Sequence, residues 1–459
     1  LANPTCLSKF KNPKNYEALI MAYEEVEYTE RLSAELIFGG ATSKGKLAFT
    51  VPNWFTSGEG IDIGNPVRFE YIIPEEIGIE SSDLNAIDTI VYAAINKHAM
   101  PGCQILVAKD NKVFFQKSYG GATYENKVKI ENDLVYDIAS VTKISASVLA
   151  LMKLYEEGKI SLDSTLSYYL PQLKGTNKEN LIIKDMLTHQ AKLKAWIPFW
   201  KTTIDKGDLK TSYYSKTSTP SFSTEVADSM FVLNSFKDSI FQSITKSPLE
   251  IQKKYLYSDL GYYYFKDIIE NTTKDSLQNY VGKVYKQLGM STTGYLPRRK
   301  IMIDKIVPTE YDISFRKQLL RGYVHDQGAA LLGGVGGHAG LFSNANDLAK
   351  LMQMYLNKGT YGGERYLEER TMQIFTDCQF CDDGNRRAIG FDKPEPDPLK
   401  ESPSCTCVSM LSFGHTGFTG TMVWIDPQYQ LVYVFLSNRV YPDAENKKLV
   451  QLGVRTKVQ

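Results

Sequence analysis

The sequence predicts a mixed α/β fold, and three observations lead to that prediction. Near the C-terminus, residues 421–426 and 431–438 form two apolar runs around a short turn that contains Pro427, which is typical of a buried β-hairpin. Apolar residues at helical spacing follow Ser140, and a second apolar helical segment follows Asp259. The first part of the chain has the pattern of a single strand–helix–strand unit.

Length and composition predict a large core and exclude several classes of function. The chain has 459 residues, of which 43% are apolar, so it is able to bury a substantial core. Its 53 basic and 52 acidic residues balance, and no basic cluster predicts a nucleic-acid partner. No apolar run is long enough to predict a membrane span. We predict neither a cofactor nor a metal ion in the functional site.

Ser140 is the candidate nucleophile because of its setting. The pattern Ser-x-x-Lys occurs five times, starting at Ser8, Ser43, Ser140, Ser243 and Ser314. Ser140 stands out because it leads directly into a long apolar helical segment that Gly158 is expected to end. Positions three apart share a helix face, so a neutral Lys143 amine could accept the Ser140 proton. A helix N-terminus with a capping serine and a solvated lysine is the alternative.

A second fragment, Tyr257-Ser-Asp259, precedes the other apolar helical segment. A phenol beside a lysine is able to carry a proton to and from a reacting group. Asp259 could accept a hydrogen bond from Lys143 or orient a substrate. The alternative is a simple helix cap, because the same spacing of residue types recurs elsewhere in the chain.

A third fragment, residues 414–420, leads into the C-terminal hairpin. Its candidate substrate-binding residues are His415, Thr416, Gly417 and Phe418. Glycines beside a strand let the backbone approach a ligand closely, and the Phe418 N–H could stabilise an oxyanion. A glycine-rich hairpin entry with a hydrogen-bonded histidine is the alternative.

Together and in this order, the three fragments resemble the active site of the serine beta-lactamase and D,D-peptidase superfamily. Because it contains a tyrosine, the second fragment resembles most the motif of one branch, that of class C beta-lactamases, D,D-carboxypeptidases and esterases. Further similar segments are Met100–Val107 with Val113–Phe115, Leu187–Gln190, Leu288–Met290, and Gly336–Ser343 followed by Asp347-Leu348.

The resemblance implies a fold, a reaction and a set of roles. Residues 79–459 would form an antiparallel sheet flanked by terminal helices, with an all-helical region inserted after the Ser140 helix. Ser140 would be acylated, Lys143 would accept its proton, and Tyr257 would be the general base. Asp259 stands where many members have asparagine, and His415 stands where many have lysine. Because a histidine is largely neutral at pH 7, a cation for a substrate carboxylate would be missing.

The resemblance implies an amide or an ester as the substrate, with peptidoglycan-derived peptides and beta-lactams as candidates. The missing cation and the negative charge of Asp259 disfavour recognition of a substrate carboxylate and leave esters and unusual amides open. A non-catalytic penicillin-binding or sensor module and a carboxylesterase are the alternatives. A glycosidase accessory domain that serves only as a scaffold is a third one.

Residues 1–78 are expected to lie outside that fold. Ala18–Tyr23 has the pattern of a strand, Thr29–Phe38 that of an amphipathic helix, and Gly45–Val51 that of a second strand. Residues 36–51 resemble the end of the C-terminal domain of family 3 glycoside hydrolases, which include beta-N-acetylglucosaminidases. This resemblance implies a longer parent protein with an N-terminal glycosidase domain, exported to the bacterial periplasm or cell surface. A docking arm is the alternative.

Four cysteines form two close pairs before the third fragment, namely Cys378 with Cys381 and Cys405 with Cys407. Disulfide bonds are natural in an exported protein, whereas four ligands would also suit zinc. Disulfides, free thiols and a metal site are all left open by the spacing.

Overall fold

The structure is a computed structural model, and it describes residues 4–125 and 127–459. The α-helices are α1 Glu27–Ile37, α2 Asn85–Asn96, α3 Val148–Glu156, α4 Leu166–Tyr169, α5 Ile183–Leu187, α6 Phe236–Lys246, α7 Leu260–Thr273, α8 Leu277–Leu288, α9 Gln327–Leu331, α10 Ala345–Leu356, α11 Glu369–Thr376, α12 Lys448–Gln451 and α13 Val454–Val458. A π-helical turn, Lys143–Ser147, precedes α3. Short 3-10 turns occupy Pro4–Lys9, Pro13–Asn15, Pro74–Ile77, Pro171–Leu173, Phe199–Thr203, Pro297–Arg299 and Ile303–Lys305.

The strands are β1 Glu70–Tyr71, β2 Gly102–Lys109, β3 Lys112–Gly120, β4 Tyr136–Asp137, β5 Ile204–Asp205, β6 Asp208–Leu209, β7 Tyr214–Ser215, β8 Thr224–Ala227, β9 Met230–Val232, β10 Gly294–Tyr295, β11 Glu310–Asp312, β12 Gln318–Leu320, β13 Leu341–Ser343, β14 Thr360–Tyr361, β15 Glu364–Arg365, β16 Phe413–Thr416, β17 Met422–Asp426 and β18 Leu431–Ser437. Six of them form the central sheet in the order β1-β3-β2-β18-β17-β16. Every pairing in this sheet is antiparallel except that of β1 with β3.

Both faces of the central sheet are buried, so its inner strands are apolar on both sides. On one face, Ile105, Trp424 and Phe435 pack with residues of α2 and of the C-terminal helices. On the other face, Leu106 and Val434 belong to the main core, and α10 lies across β2, β17 and β18. The predicted mixed fold with a helix-flanked sheet is confirmed, as is the predicted hairpin near the C-terminus, which is β17 and β18.

The region between the Ser140 helix and β16 carries helices α4 to α11, but it is not all helical. It contains α4 to α11, and it also carries short strand pairs such as β5 with β6 and the three-stranded sheet β7-β9-β8. These pairs are two to four residues long, too short to give a clear period of two in the sequence. No helix within the described ranges is long and apolar enough to cross a membrane.

The N-terminal segment differs from the prediction. Its helix α1 is present, but Ala18–Tyr23 and Gly45–Val51 form no strands, and the latter segment has only isolated bridges around it. Within the described residues these two segments have no sheet to join, and a single strand–helix unit is too small to bury a core. Further along the chain, β1 joins the edge of the central sheet next to β3.

The Gln104 side chain ties the sheet to two neighbouring segments. It is almost fully buried, and its amide donates to the carbonyl oxygens of Glu131 and Leu134 at 2.7 and 2.9 Å. Its Oε1 accepts from the Ala345 N–H at 2.9 Å, at the start of α10. The bonds therefore position both α10 and the segment that leads to Ser140.

We expect Gln104→Leu to lower the free energy of unfolding by about 2–4 kcal/mol, because three buried backbone groups lose their partner. Equilibrium denaturant unfolding measures this change. The control is Gln116→Leu in β3, where the half-buried side chain has no hydrogen bond within the described part of the chain. The free energy of unfolding of Gln116→Leu should fall by no more than about 0.5 kcal/mol. Equal losses in the two variants would contradict the assignment.

Candidate active site

Ser140 lies at the entrance to a π-helical turn that other elements hold in place. The preceding residue, Ala139, has a left-handed backbone with φ 46°, and its N–H donates to Asp137 Oδ1 at 2.8 Å. A π turn leaves backbone carbonyls without their usual helical partners. The Tyr355 hydroxyl donates to the Ile144 carbonyl at 2.8 Å, and that of Tyr285 donates to the Ser145 carbonyl at 2.6 Å. These bonds satisfy the freed carbonyls and fix the turn.

Lys143 is fully buried, and its ammonium group links three segments of the chain. Nζ donates to Ser140 Oγ at 2.8 Å and to the His338 carbonyl at 3.2 Å, and it pairs with Asp259 Oδ1 at 2.6 Å. Burial acts to lower the pKa of Lys143, but the Asp259 carboxylate and Tyr257 outweigh it, so the net pKa is raised. The charged form of Lys143 is therefore the stable one at neutral pH.

The Tyr257 hydroxyl is buried beside Lys143 and Ser140 but has no well-formed hydrogen bond to a described residue. Burial raises its pKa; the Lys143 charge opposes that effect and Asp259 adds to it, so the net pKa is raised. Two cations lie near the ring, with Lys143 Nζ at 5.1 Å and Arg387 Cζ at 5.6 Å from its centroid. The two nearby positive charges stabilise the phenolate that forms when the Tyr257 hydroxyl loses its proton.

Two histidines support this tyrosine from different segments. The His189 ring lies 4.4 Å from the Tyr257 ring, and its Nδ1 accepts from the Ser258 N–H at 3.1 Å. The His415 ring lies 6.0 Å from Tyr257 on another side. Burial lowers the pKa of His189 well below its usual range, so this side chain is neutral.

His415 is also neutral, and its tautomer is fixed by its neighbours. Burial lowers its pKa to about 3, and the charges of Arg387 and Lys143 add to that effect. Nδ1 lies 2.7 Å from the Thr416 carbonyl, which can only accept, so Nδ1 carries the proton. Nε2 then accepts from Arg387 Nη2 at 3.3 Å. The Arg387 guanidinium is held in turn by Asp392, at 2.9 Å.

The turn between β16 and β17 lies directly against the segment before Ser140. A Cβ atom on Gly417 would come within 2.6 Å of the Ile138 carbonyl oxygen, so this contact requires glycine. Thr419 Oγ1 donates to the Asp137 carbonyl at 2.7 Å. Within residues 4–125 and 127–459, the backbone N–H groups of Ser140 and Phe418 donate no hydrogen bond. Two free N–H groups at such a junction are suited to hold an oxyanion.

The structure brings the sequence-predicted residues into one region. Ser140, Lys143, Tyr257 and Asp259 are in direct or near contact, and His415 lies beside Tyr257. Thr416 and Gly417 continue from His415 along β16 and the following turn, and Phe418 projects outward, 54% exposed. The functions of these residues remain proposals.

Several residues around the site were not predicted from the sequence. Arg387 has no recognisable motif, and no pattern in the chain marks it as the cation beside His415. His189 and His338 stand in segments that resemble the superfamily, but the contacts to Tyr257 and Lys143 depend on packing. Such contacts between distant segments leave no period or spacing to read.

The two cysteine pairs form disulfides, Cys378–Cys381 and Cys405–Cys407. Among the described residues, no group of three or more His, Cys, Asp or Glu side chains could hold a metal ion. Of the alternatives left open by the spacing, the structure has the disulfides.

Comparison with known proteins shows the family of the chain. The sequence profile of the family described as Beta-lactamase matches residues 87–454. The chain belongs to the beta-lactamase family. A relative from Salmonella heidelberg (strain SL476), named "Putative D-alanyl-D-alanine carboxypeptidase", is 32% identical over 407 residues, which cover 82% of this chain and 87% of that protein. The protein is thus a serine hydrolase of the beta-lactamase family.

Solved structures share the fold of this beta-lactamase family member. EstCE1, a hydrolase with promiscuous acyltransferase activity, aligns with a TM-score of 0.60 and 18% identity, covering 82% of this chain and 98% of its own. The octameric penicillin-binding protein homologue from Pyrococcus abyssi aligns with a TM-score of 0.57 and 21% identity, covering 82% of this chain and 78% of its own. A class C beta-lactamase from Rhodobacter sphaeroides aligns with a TM-score of 0.55 and 19% identity, covering 80% of this chain and 98% of its own.

We expect Asp259→Asn to shift the pH dependence of Ser140 acylation to lower pH. The Asp259 carboxylate raises the pKa of both Lys143 and Tyr257, so removing its charge lowers both. In the proposed reaction, the Lys143–Tyr257 pair must lose one proton before Ser140 attacks, so the acylation rate increases with pH. In Asp259→Asn this increase in rate should begin at a lower pH. The measurement is the rate of labelling by a fluorophosphonate across the pH range.

Asp163→Asn is the matched control, because Asp163 also pairs with a lysine, Lys184, at 2.8 Å, but lies mostly in solvent. Its pH profile should equal that of the wild type. An Asp259→Asn profile that stays in place or moves to higher pH would refute the coupling.

Proposed function

We propose that this protein hydrolyses peptides that end in a D-amino acid, through an acyl-enzyme on Ser140, with peptidoglycan-derived peptides as its substrates. The observation that carries the proposal is the Lys143 ammonium, which lies between the Ser140 hydroxyl and the Asp259 carboxylate. Beside it is the buried Tyr257 hydroxyl without a partner among the described residues. The name of the Salmonella relative supports the choice of substrate.

In the proposed mechanism, the reactive form is the one in which the Lys143–Tyr257 pair has lost one proton. Ser140 Oγ accepts a hydrogen bond from Lys143, so its own proton is free to point to Tyr257. Oγ attacks the carbonyl carbon while Tyr257 takes the proton, and the N–H groups of Ser140 and Phe418 bind the oxyanion. The leaving amine then receives that proton, and the acyl-enzyme forms.

Deacylation reverses these proton transfers with water as the nucleophile. The Lys143–Tyr257 pair takes a proton from the water as it attacks the Ser140 ester, and returns a proton to Oγ as the ester bond breaks. Lys143 remains charged throughout, so its contribution is to stabilise the Tyr257 phenolate. This differs from the sequence-based expectation that a neutral Lys143 amine accepts the Ser140 proton.

For substrate binding, we propose that β16 and its turn contact the peptide backbone and the terminal carboxylate. Thr416, Gly417 and Phe418 would lie along the peptide, while Asp259 would orient its amide. Because His415 is neutral, the positive potential for a carboxylate would come from Arg387 behind it. Arg387 is buried and paired with Asp392, so it would act through His415 and not by direct contact.

A carboxylesterase is the second candidate, and one observation favours it. The Asp259 carboxylate is partly exposed at the site, whereas the cation Arg387 is almost fully buried. An uncharged ester would avoid repulsion by Asp259 and would not need a cation.

We also propose that residues 1–78 are the C-terminal remnant of a family 3 glycoside hydrolase domain in an exported parent protein, located in the periplasm or at the cell surface. The resemblance of residues 36–51 supports the first part. Helix α1 has no buried residue, which suits a segment that packs against a further domain. The two disulfides support an oxidising compartment.

Intact-mass analysis after treatment with a fluorophosphonate tests Ser140 as the nucleophile. We expect one adduct on the wild-type protein and none on Ser140→Ala, because an alkylphosphonyl group remains on the activated hydroxyl. Ser243→Ala is the matched control, since Ser243 belongs to another Ser-x-x-Lys sequence and donates to the Ser239 carbonyl on an exposed helix face. It should keep the adduct. An adduct that survives in Ser140→Ala would disprove the assignment, and no adduct on the wild type would favour a scaffold.

A pair of substrates tests the carboxylate preference. We compare kcat/KM for an N-acyl-D-alanyl-D-alanine peptide with that for the same peptide as its C-terminal methyl ester. In Arg387→Gln we expect the free acid to lose about tenfold more than the methyl ester, because the positive potential at the carboxylate is gone. Arg387→Lys, which keeps the charge, should restore part of the difference. Equal losses for both substrates would assign Arg387 a purely structural function.

A further inference from the structure

A tight turn near the site carries one of the two disulfides. Cys378–Cys381 links two cysteines three positions apart, directly after helix α11, which ends at Thr376. Cys381 is exposed and Cys378 is half-buried, so a thiol in solution can reach the Cys381 sulfur. We name residues 378–385 the disulfide turn. Neither the proposed mechanism nor the proposed substrate contacts use it.

The residues after the disulfide fold back onto the loop that it closes. The Asp383 N–H and the Asn385 N–H both donate to the Phe380 carbonyl, at 3.1 and 3.0 Å. The Gly384 N–H donates to the Cys381 carbonyl at 3.0 Å. Both accepting carbonyls belong to the loop closed by the disulfide. The disulfide therefore fixes the position of Asn385 at the end of the turn.

Asn385 joins the disulfide turn to the segment of His189 and to Arg387. It is buried, and its Nδ2 donates to the Thr188 carbonyl at 3.0 Å and to Gln190 Oε1 at 3.2 Å, one on each side of His189. Its Oδ1 accepts from the Arg387 N–H at 3.1 Å. Asn385 thus sets where the backbone of Arg387 lies relative to the segment that packs on the candidate catalytic tyrosine.

The Arg387 guanidinium reaches from this backbone to the centre of the site. Its Nη1 pairs with Asp392 at 2.9 Å, its Nη2 lies 3.3 Å from His415 Nε2, and its Cζ lies 5.6 Å from the Tyr257 ring centroid. Burial acts to lower the pKa of Arg387, but Asp392 and the neighbouring tyrosines outweigh it, so the net pKa is raised. The attraction is mutual, so the same cation stabilises the Tyr257 phenolate.

Arg387 differs from the other charged groups around Tyr257 in what holds it. Among the described residues, the ionisable side chains that surround this phenol are Lys143, Asp259, Arg387, Tyr262, His189 and His415. Both histidines are neutral, and Lys143 pairs with Asp259 within the candidate site itself. The backbone of Arg387, by contrast, is held by the disulfide turn.

We propose that Asn385 is the positioning residue for Arg387, and that the Cys378–Cys381 disulfide keeps it in place. Reduction of this disulfide then displaces the guanidinium from Tyr257 and slows the acylation of Ser140. The inference rests on the proposed reaction at Ser140, in which a phenolate forms next to this cation.

The electrons for the reduction come from a dithiol. Its thiolate attacks the exposed Cys381 sulfur, Cys378 leaves as a thiolate, and the second thiol of the reductant resolves the mixed disulfide. Two electrons and two protons pass to the cysteines, which become thiols, while the dithiol becomes a disulfide. The step is reversed by a disulfide oxidant.

Reduction in the Cys405→Ser/Cys407→Ser background tests the inference, because dithiothreitol then opens the Cys378–Cys381 disulfide alone. The readout is the rate of fluorophosphonate labelling of Ser140 across the pH range. We expect the increase in rate to begin at a higher pH, and labelling at neutral pH to slow by about twofold to fourfold, as for a cation displaced by about 1–2 Å from a phenolate. Reoxidation should restore the original profile.

The second disulfide supplies the matched control. Cys407 is exposed and Cys405 is half-buried, and the Cys405 N–H donates to Gln459 Oε1 at 2.8 Å, away from the site. Without reduction, Cys405→Ser/Cys407→Ser should therefore keep the wild-type pH profile. Asn385→Ala should show the shifted profile with its disulfide intact, and reduction should add nothing further. Additive effects, or a slower rate with an unchanged pH profile, would reduce the disulfide turn to a purely structural element.

The ring nitrogens of His415 report the position of Arg387 without any activity. The chain has five histidines, so their side-chain signals can be resolved by nuclear magnetic resonance and the His415 signal assigned with His415→Gln. We expect reduction to move the signal of Nε2, which accepts from Arg387. The signal of His98, which is exposed at the end of α2, should stay in place.

The two readouts separate this inference from the proposed function. If the wild type takes no label but reduction moves the His415 signal, the acyl-enzyme function fails and the positioning by Asn385 stands. If the protein is labelled, the inference requires both the pH shift and the change in the His415 signal. Loss of either one leaves the proposed function intact and overturns the inference.

Discussion

The structure of the site depends on one buried charge, the Lys143 ammonium. An ammonium without contact to water is costly unless it is paired and its donors are used. Here the pairing carboxylate belongs to Asp259, just before α7, and an accepting carbonyl belongs to His338, more than 190 residues after Lys143. The charge is therefore stable only when the Ser140 turn, α7 and the loop before β13 come together. The same contacts that make the buried charge tolerable also position the Ser140 hydroxyl.

A second set of contacts places the sheet edge against this centre. Gly417 meets the backbone of residue 138 at a distance that no other residue allows, and threonines of the same turn donate to carbonyls before Ser140. Behind the strand, Arg387 carries the positive charge that the neutral His415 lacks. Tyr257 thus has two cations near its ring, Lys143 from the turn after Ser140 and Arg387 from the segment before β16.

Much of this protein could be predicted from particular residues. The hairpin of β17 and β18, that of β2 and β3, and the helices after Ser140 and Asp259 are long and strongly apolar, so their patterns are clear. The N-terminal strands were predicted from equally apolar runs and are wrong, since a strand needs a neighbouring strand and the described chain offers none there. The short strand pairs inside the helical region were missed because two to four residues carry no readable period.

Sequence alone determined which residue types reach the site and in what order, because Ser140, Lys143, Tyr257 and His415 stand in motifs tied to local helix and strand patterns. It could not determine their charge states. Those follow from burial and from the distances to Asp259, Arg387 and Asp392, which belong to segments far apart in the chain. Electrostatic energies depend on distance and on exclusion of water, and only the tertiary structure sets both.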